Sequence, residues 1–96
     1  MLYYKLKKIS EIDLSKDKKI SIIGRVLDVN DGFFILSDGK NKVEILSEKN
    51  VEAGQIVRVF CSIEENKIKA DIIQNLDGLD LNLYKEVEEL YSKIGD

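Results

Sequence analysis

Residues 19–46 carry the pattern that decides the fold, KISIIGRVLDVNDGFFILSDGKNKVEIL. Apolar and polar residues alternate along 19–29, which predicts a strand with one inward face made by Ile20, Ile22, Gly24 and Val26. Asn30-Asp31-Gly32 and Asp38-Gly39 consist of residues that tolerate the positive φ of tight turns. They divide the stretch into three strands of an antiparallel meander, at 19–29, 32–38 and 42–46.

Two more strands follow a polar connection at 47–54, which has room for a helical turn. The segment 55–64 alternates with Val57, Val59, Cys61 and Ile63 on one face. After a turn at Glu65-Asn66, 67–73 places Ile68, Ala70 and Ile72 inward. Five such strands predict a small closed or nearly closed barrel. Gly24 in mid-strand predicts a sharp bend that lets the first strand serve both halves of it. This pattern matches the oligonucleotide-binding (OB) fold, with an SH3-like barrel as the alternative.

The apolar period changes near the end of the chain. From Asp80 onward, apolar residues recur at spacings of four, three and four, which predicts one amphipathic α-helix after the barrel. The seam consists of Leu83, Val87, Leu90 and Ile94, and Tyr84 and Tyr91 widen it. The expected organisation is a basic N-terminal segment at 1–17, part of or leading into the barrel, an OB-fold barrel at 18–76 and an oligomerisation helix at 77–96.

Composition narrows the classes of function. The chain has 96 residues, no His and a single cysteine, Cys61, which excludes a disulfide and His-based acid–base catalysis and argues against a zinc site. Without a nucleophile–base pair, we expect a protein that is not an enzyme and uses no metal, cofactor or small-molecule substrate. No apolar run approaches the ~18 residues of a membrane span, and no signal peptide opens the chain. We expect no membrane association and a cytoplasmic location, at the nucleoid in a prokaryote or in the nucleus of a eukaryote.

Charge is distributed unevenly along the chain. Residues 1–76 carry 13 basic and 12 acidic side chains, whereas 77–96 carry 2 and 6, and the net charge of the chain is −3. This balance argues against a protein that captures nucleic acid mainly by charge. The acidic segment coincides with the predicted helix, so body and tail are expected to have different roles.

Outward and hairpin positions supply candidate contacts to nucleic acid, because aromatic rings stack on bases and cations follow the phosphates. These are Arg25, Phe34, Lys40, Lys42, Arg58, Phe60, Lys67 and Lys69. The alternative is that the phenylalanines fill the core and the lysines are solvated, and at least one of Phe33 and Phe34 is expected inside because neighbouring strand residues face opposite ways. Acidic residues interrupt the positive track, so independent DNA binding is expected to be weak. They are Asp38, Glu44, Glu64 and Asp71.

Three stretches resemble the small subunit of replication protein A, the heterotrimeric single-strand DNA-binding complex. They are IGRV at 23–26, FILSDG at 34–39 and LDLNLYKEV at 79–87. The resemblance runs in matching order over 18–94, and it departs in the shorter region between the third and fourth predicted strands and in the first 17 residues. The Lys- and Ile-rich composition favours an archaeal version.

The resemblance implies a scaffold role. In that family the small subunit packs its barrel on a partner and adds its helix to a bundle with the two larger subunits, and the complex covers single-stranded DNA during replication, repair and recombination. The corresponding partner-helix interface here is Leu83, Tyr84, Val87, Leu90, Tyr91 and Ile94. Two alternatives within or near this class are a telomere-capping-type small subunit and a helix that merely caps its own barrel. The alternative from another class is a stand-alone OB-fold protein that contacts single-stranded DNA or RNA directly.

Overall fold

The computed structural model describes residues 4–76, and these residues are mostly β structure. The elements are β1 (Lys5–Leu6), a 3-10 helix at Ile9–Glu11, β2 (Lys19–Asn30), β3 (Phe33–Ser37), β4 (Lys42–Leu46), β5 (Ile56–Glu64) and β6 (Lys67–Asn75). All five predicted strands are present, as β2 to β6. The predicted C-terminal helix at 77–96 lies outside the described residues.

The long strand β2 joins the two halves of the sheet. It pairs antiparallel with β5 from Lys19 to Arg25 and with β3 from Arg25 to Asn30. The pairings of β3 with β4, β4 with β6 and β6 with β5 complete a ring of five strands. The prediction that the first strand of the meander serves both halves is therefore confirmed.

Gly24 lies where β2 exchanges β5 for β3. A Cβ atom added at Gly24 would lie 2.5 Å from the carbonyl oxygen of Ser37 and 2.9 Å from Cγ of Leu36. Both distances are shorter than a carbon atom tolerates, so the close approach of β3 requires a residue without a side chain.

The core fills the inside of the ring with alternate residues from all five strands. It consists of Ile20, Ile22, Val26, Phe34, Leu36, Ile45, Val57, Val59, Cys61 and Ile68. The inward face predicted for β2 is confirmed, because Ile20, Ile22 and Val26 are completely buried. The Glu65-Asn66 turn between β5 and β6 is also as predicted, with φ of 52° and 63°, the left-handed pair that tight hairpins use.

The inward position predicted for Ile72 is wrong. Phe60 pairs with Ile72 and Cys61 with Ala70, so Asp71 is an extra residue in β6. This β-bulge shifts the alternation by one position. As a result Ile72 is 52% exposed, and Ile73 packs against the core instead.

The N-terminal segment adds elements that the sequence pattern did not predict. β1 pairs parallel with β2 at Ile20 and Ser21. The N–H of Lys7, just after β1, donates a further hydrogen bond to the carbonyl of Ser21 at 3.0 Å. Ile9 is buried and Ile12 packs against the core. Residues 4–17 thus cover a stretch of β2 to which β3 does not extend.

Candidate nucleic-acid and partner surfaces

Three of the predicted cations meet at one end of β3. Arg25 and Lys42 flank Ser37 in one row across β2, β3 and β4. Lys40 lies in the adjoining turn, which Asp38 holds by accepting a hydrogen bond from the Lys40 N–H at 2.9 Å. This row is the densest group of predicted cationic contacts among residues 4–76.

Phe34 was predicted as an exposed residue that could contact nucleic acid, and this exposed position is wrong. Its side chain is 1% exposed and is the largest fully buried one in the core. Phe33 faces the other way, is half-buried, and lies between Asn30 of β2 and Leu46 of β4. The aromatic ring on the outer side of β3 is therefore that of Phe33. Which face of β3 turns toward the core decides between the two, and this depends on the other strands of the ring that pack against that face.

Arg58 and Phe60 lie on a different part of the outer surface, on β5. Both are half-buried. The ring of Tyr4 packs edge-on against that of Phe60, with centroids 5.2 Å apart and planes at 68°. Since Tyr4 covers part of it, Phe60 offers less area for base stacking than an open ring would.

A closed polar network ties Tyr4 to the sheet beside Phe60. The hydroxyl of Tyr4 donates to Oδ2 of Asp71 at 3.0 Å, the hydroxyl of Ser62 donates to the same oxygen, and Nζ of Lys19 lies 3.4 Å from it. Nζ of Lys19 also donates to Oγ of Ser62 at 2.6 Å and lies 5.4 Å from the Tyr4 ring centroid. Two hydroxyl groups and one ammonium group thus stabilise the charge of the Asp71 carboxylate. Because Tyr4 supplies one of the hydroxyls, the network anchors the N-terminal segment to the sheet.

The pKa values in this network follow from the contacts. Burial raises the pKa of Asp71, but the hydrogen bonds from Ser62 and Tyr4 and the charge of Lys19 together bring it below its ordinary value. Burial and the hydrogen bond to Asp71 raise the pKa of Tyr4. Sequence patterns missed the network because the bulge at Asp71 creates it.

The two predicted cations on β6 lie beside acidic residues. Nζ of Lys69 is 3.5 Å from Oε2 of Glu64. Lys67 is exposed and lines a groove together with Glu44. The acidic interruptions expected at Glu44 and Glu64 are therefore present, and the candidate contacts fall into separate groups on three parts of the surface.

Cys61 is a core side chain. It is completely buried, and burial raises the pKa of its thiol to about 12. A thiol with that pKa supplies almost no thiolate near neutral pH. Within 4–76, no group of three His, Cys, Asp or Glu side chains is placed to hold a metal ion.

Over the same residues, no helix is long and apolar enough to cross a membrane.

The predicted partner-helix interface lies outside the part of the chain that the structure describes. Its residues are Leu83, Tyr84, Val87, Leu90, Tyr91 and Ile94.

Comparison with known proteins identifies the fold. Neither a family model nor a curated protein sequence matches the chain. Among solved structures, the telomere capping protein Ten1 from Saccharomyces pombe is similar with a TM-score of 0.82 and 19% identity, over 95% of this chain and 99% of that one. A chain of the S. pombe Stn1–Ten1 complex gives 0.80 and 20% identity, over 95% and 93%. A chain of U. maydis replication protein A bound to single-stranded DNA gives 0.73 and 18% identity, over 94% and 90%.

At such identities the likeness shows the fold alone. The strand order and the neighbours define an OB-fold-like sheet, and this decides against the SH3-like alternative.

Proposed function

We propose that this chain is the small subunit of a complex that binds single-stranded DNA, and that it assembles there with a larger OB-fold subunit. The whole-chain likeness to Ten1, which covers 95% of this chain and 99% of Ten1, is the observation that carries the proposal. Ten1 has also been solved in a complex with Stn1, and the likeness to a chain of replication protein A extends over 90% of that chain. In each case a chain of similar size is matched nearly end to end.

The surface chemistry of 4–76 supports a scaffold role. Acidic side chains at Glu44 and Glu64 lie among the cations of β4 and β6, where a phosphate chain would meet repulsion. Phe60 is partly covered by Tyr4, and Phe34 is in the core. Contact with DNA therefore falls mainly to the larger subunit.

The partner interface that we propose is the seam of the C-terminal segment. Its six residues, Leu83, Tyr84, Val87, Leu90, Tyr91 and Ile94, recur at helical spacing. Burial of large apolar side chains stabilises an assembly by about 1.5–3 kcal/mol each, which makes such a seam a strong source of association. A bundle with helices from the larger subunits is the arrangement that the resemblance to the small subunit of replication protein A favours.

The biological setting is part of the same proposal. A heterotrimer of the replication protein A type, in an archaeal version, acting in replication, repair and recombination, is favoured by the stretches at 34–39 and 79–87. A telomere-capping-type subunit is favoured by the likeness to Ten1. In either setting we expect the protein to act with DNA, in the cytoplasm at the nucleoid or in the nucleus.

A second candidate function has one observation in its favour. Arg25, Lys40 and Lys42 converge at one end of β3, on the outer side that also carries Phe33. Phe33 is at the opposite end of β3 from these cations. Cations and an aromatic ring along one strand are what a stand-alone protein would use to bind single-stranded DNA or RNA directly.

Titration with a fluorescent oligothymidine separates the two candidates. We expect the isolated full chain to bind with a Kd weaker than about 1 μM at physiological salt, and the complex captured with it to bind far more tightly. The variant Arg25→Ala with Lys42→Ala should leave binding by the complex nearly unchanged, like the control Lys5→Ala with Lys16→Ala. Nanomolar binding by the isolated chain that is lost only in the first variant would overturn the scaffold proposal and support the second candidate.

A further inference from the structure

The ring of strands has a weak point between β4 and β6. β4 pairs with β3 along all five of its residues, but it pairs with β6 only where Leu46 meets Lys69. Toward β6, residues 42–45 of β4 have no strand partner among residues 4–76. The two strands separate there and leave a groove of about 330 Å³.

The β4 backbone presents hydrogen-bonding groups to this groove. The N–H of Ser47 donates to the carbonyl of Gly32 at 3.0 Å, which fixes the alternation of the β3–β4 ladder. In an antiparallel pair every second residue directs its N–H and C=O away from the partner strand. By this alternation Lys42 and Glu44 point theirs toward β6, and neither residue pairs with a residue of β6.

The lining of the groove favours a peptide over a nucleic acid. Four of its side chains are apolar, and the charged ones are one anion and one cation, Glu44 and Lys67. The apolar residues are Leu14, Val43, Leu46 and Ile68, and Asn66 completes the set. A nucleic acid strand prefers several cations and aromatic rings, and this lining has neither. A peptide with an uncharged main chain and small apolar side chains requires neither cations nor aromatic rings.

The fold already uses strand addition at its other incompletely paired stretch. There Lys5–Leu6 forms β1 by parallel pairing with β2 at Ile20 and Ser21. The β4–β6 groove carries no such strand from residues 4–76.

We propose that the β4–β6 groove binds an extended peptide segment of another protein by β-strand addition. The peptide main chain bonds to Lys42 and Glu44, and its alternate apolar side chains enter the groove beside Leu14, Val43 and Ile68. None of the groove residues belongs to the proposed helix interface, so the tests of the two proposals use different variants.

The test selects a peptide and then asks how it binds. Random peptides of about eight residues, the length of an ordinary strand, are displayed on phage and selected on the full chain, and the recovered peptide is synthesised with capped ends. Two analogues of this peptide are then made. One carries N-methyl groups on its odd-numbered amides, and the other carries them on its even-numbered amides. One should bind about tenfold more weakly and the other should bind as the parent does, because only one set of amides faces β4. Amide exchange at Lys42 and Glu44 should slow when the peptide binds.

A matched pair of variants locates the site. Leu14 is 42% exposed and lines the groove, whereas Leu27 is 37% exposed and does not. Leu14→Asp should weaken peptide binding by about tenfold, and Leu27→Asp should not. The proposal is overturned if no peptide is enriched, if both N-methyl analogues bind like the parent, or if the two aspartate variants behave alike. Displacement of the peptide by oligothymidine, or self-association of the chain that Leu14→Asp abolishes, would assign the groove to nucleic acid or to a second copy and would also overturn it.

Discussion

At the scale of single residues, Gly24 allows β2 to exchange one neighbouring strand for another. The carbonyl oxygen of Ser37 would lie 2.5 Å from a Cβ at this position, and a backbone atom cannot rotate away as a side chain can. Gly24→Ala should therefore reduce the free energy of unfolding by about 1–3 kcal/mol. Urea denaturation measures this, with Val29→Ala, at an exposed position of the same strand, as the control expected to stay within about 0.5 kcal/mol of the parent. Unchanged stability in the glycine variant would mean that β3 does not approach β2 so closely.

Asp71 is the residue through which pH acts on the fold. Its pKa in the folded chain is below the ordinary value, so its charge contributes stability above the carboxyl pKa of the unfolded chain, and that stability is lost as pH falls through the lower, folded value. Asp71→Asn should cost about 1 kcal/mol near pH 7, discounted for its partial exposure. The difference from the parent should shrink as pH falls below the ordinary carboxyl pKa and should vanish once Asp71 is protonated in the folded chain. Denaturation curves across this pH range measure both effects, and Asp28→Asn, at an exposed site, is the control. A difference that persists unchanged in acid would contradict the role of the charge.

At the scale of elements, regular alternation predicted the strands well. The predicted strand at 42–46 coincides with β4, and the one at 19–29 ends a single residue short of β2. β1 was missed because two residues are too few to show a period, and its pairing depends on β2, which is distant in sequence. The connection at 47–54 has no helical turn, and Gly54 instead adopts a positive φ of 93°.

The predictions that failed at the candidate site depended on how the strands pair and pack, which residue type and alternation do not show. One extra residue in β6, Asp71, reverses the faces of the residues after it and turns Ile72 outward. The choice between Phe33 and Phe34 depends on which face of β3 turns toward the core, and two adjacent phenylalanines give no difference in residue type from which to predict it. Cations such as Arg25 and Lys42 could be found from residue type and alternation, but their convergence beside Ser37 needed the pairing of three strands.

The C-terminal segment is the element that carries the proposed assembly. Val87→Asp with Leu90→Asp places two charges in the apolar seam, and a charge that loses water in a helix bundle is penalised heavily. We expect partner co-purification to be abolished while the circular dichroism of the sheet persists. Asn82→Asp with Ser92→Asp adds the same charge off the seam and should assemble normally. Loss of the sheet's own fold in the seam variant would identify the segment as an intramolecular cap, and unchanged assembly would place the interface elsewhere.

At the scale of the whole molecule, the fold favours binding to nucleic acid, whereas the charge of the chain disfavours tight binding. The OB-fold-like sheet is a common platform for nucleic acid, yet the chain has a net charge of −3 and its cations alternate with carboxylates. Weak, salt-sensitive binding to DNA by the chain alone is what this combination predicts. Under the proposed function, tight binding therefore comes from a partner subunit, and assembly with that partner is the property to test.

The mass of the species that the full chain forms in its native source distinguishes assembly with a partner from independent action. The tagged chain is recovered by affinity, and light scattering after size exclusion gives the mass of what elutes with it. We predict a stoichiometric complex with at least one larger chain, far heavier than the 11.0 kDa of this protein, that binds oligothymidine tightly. Recovery of the chain alone at its monomer mass, with nanomolar affinity for the same oligonucleotide, would show that the protein acts without a partner.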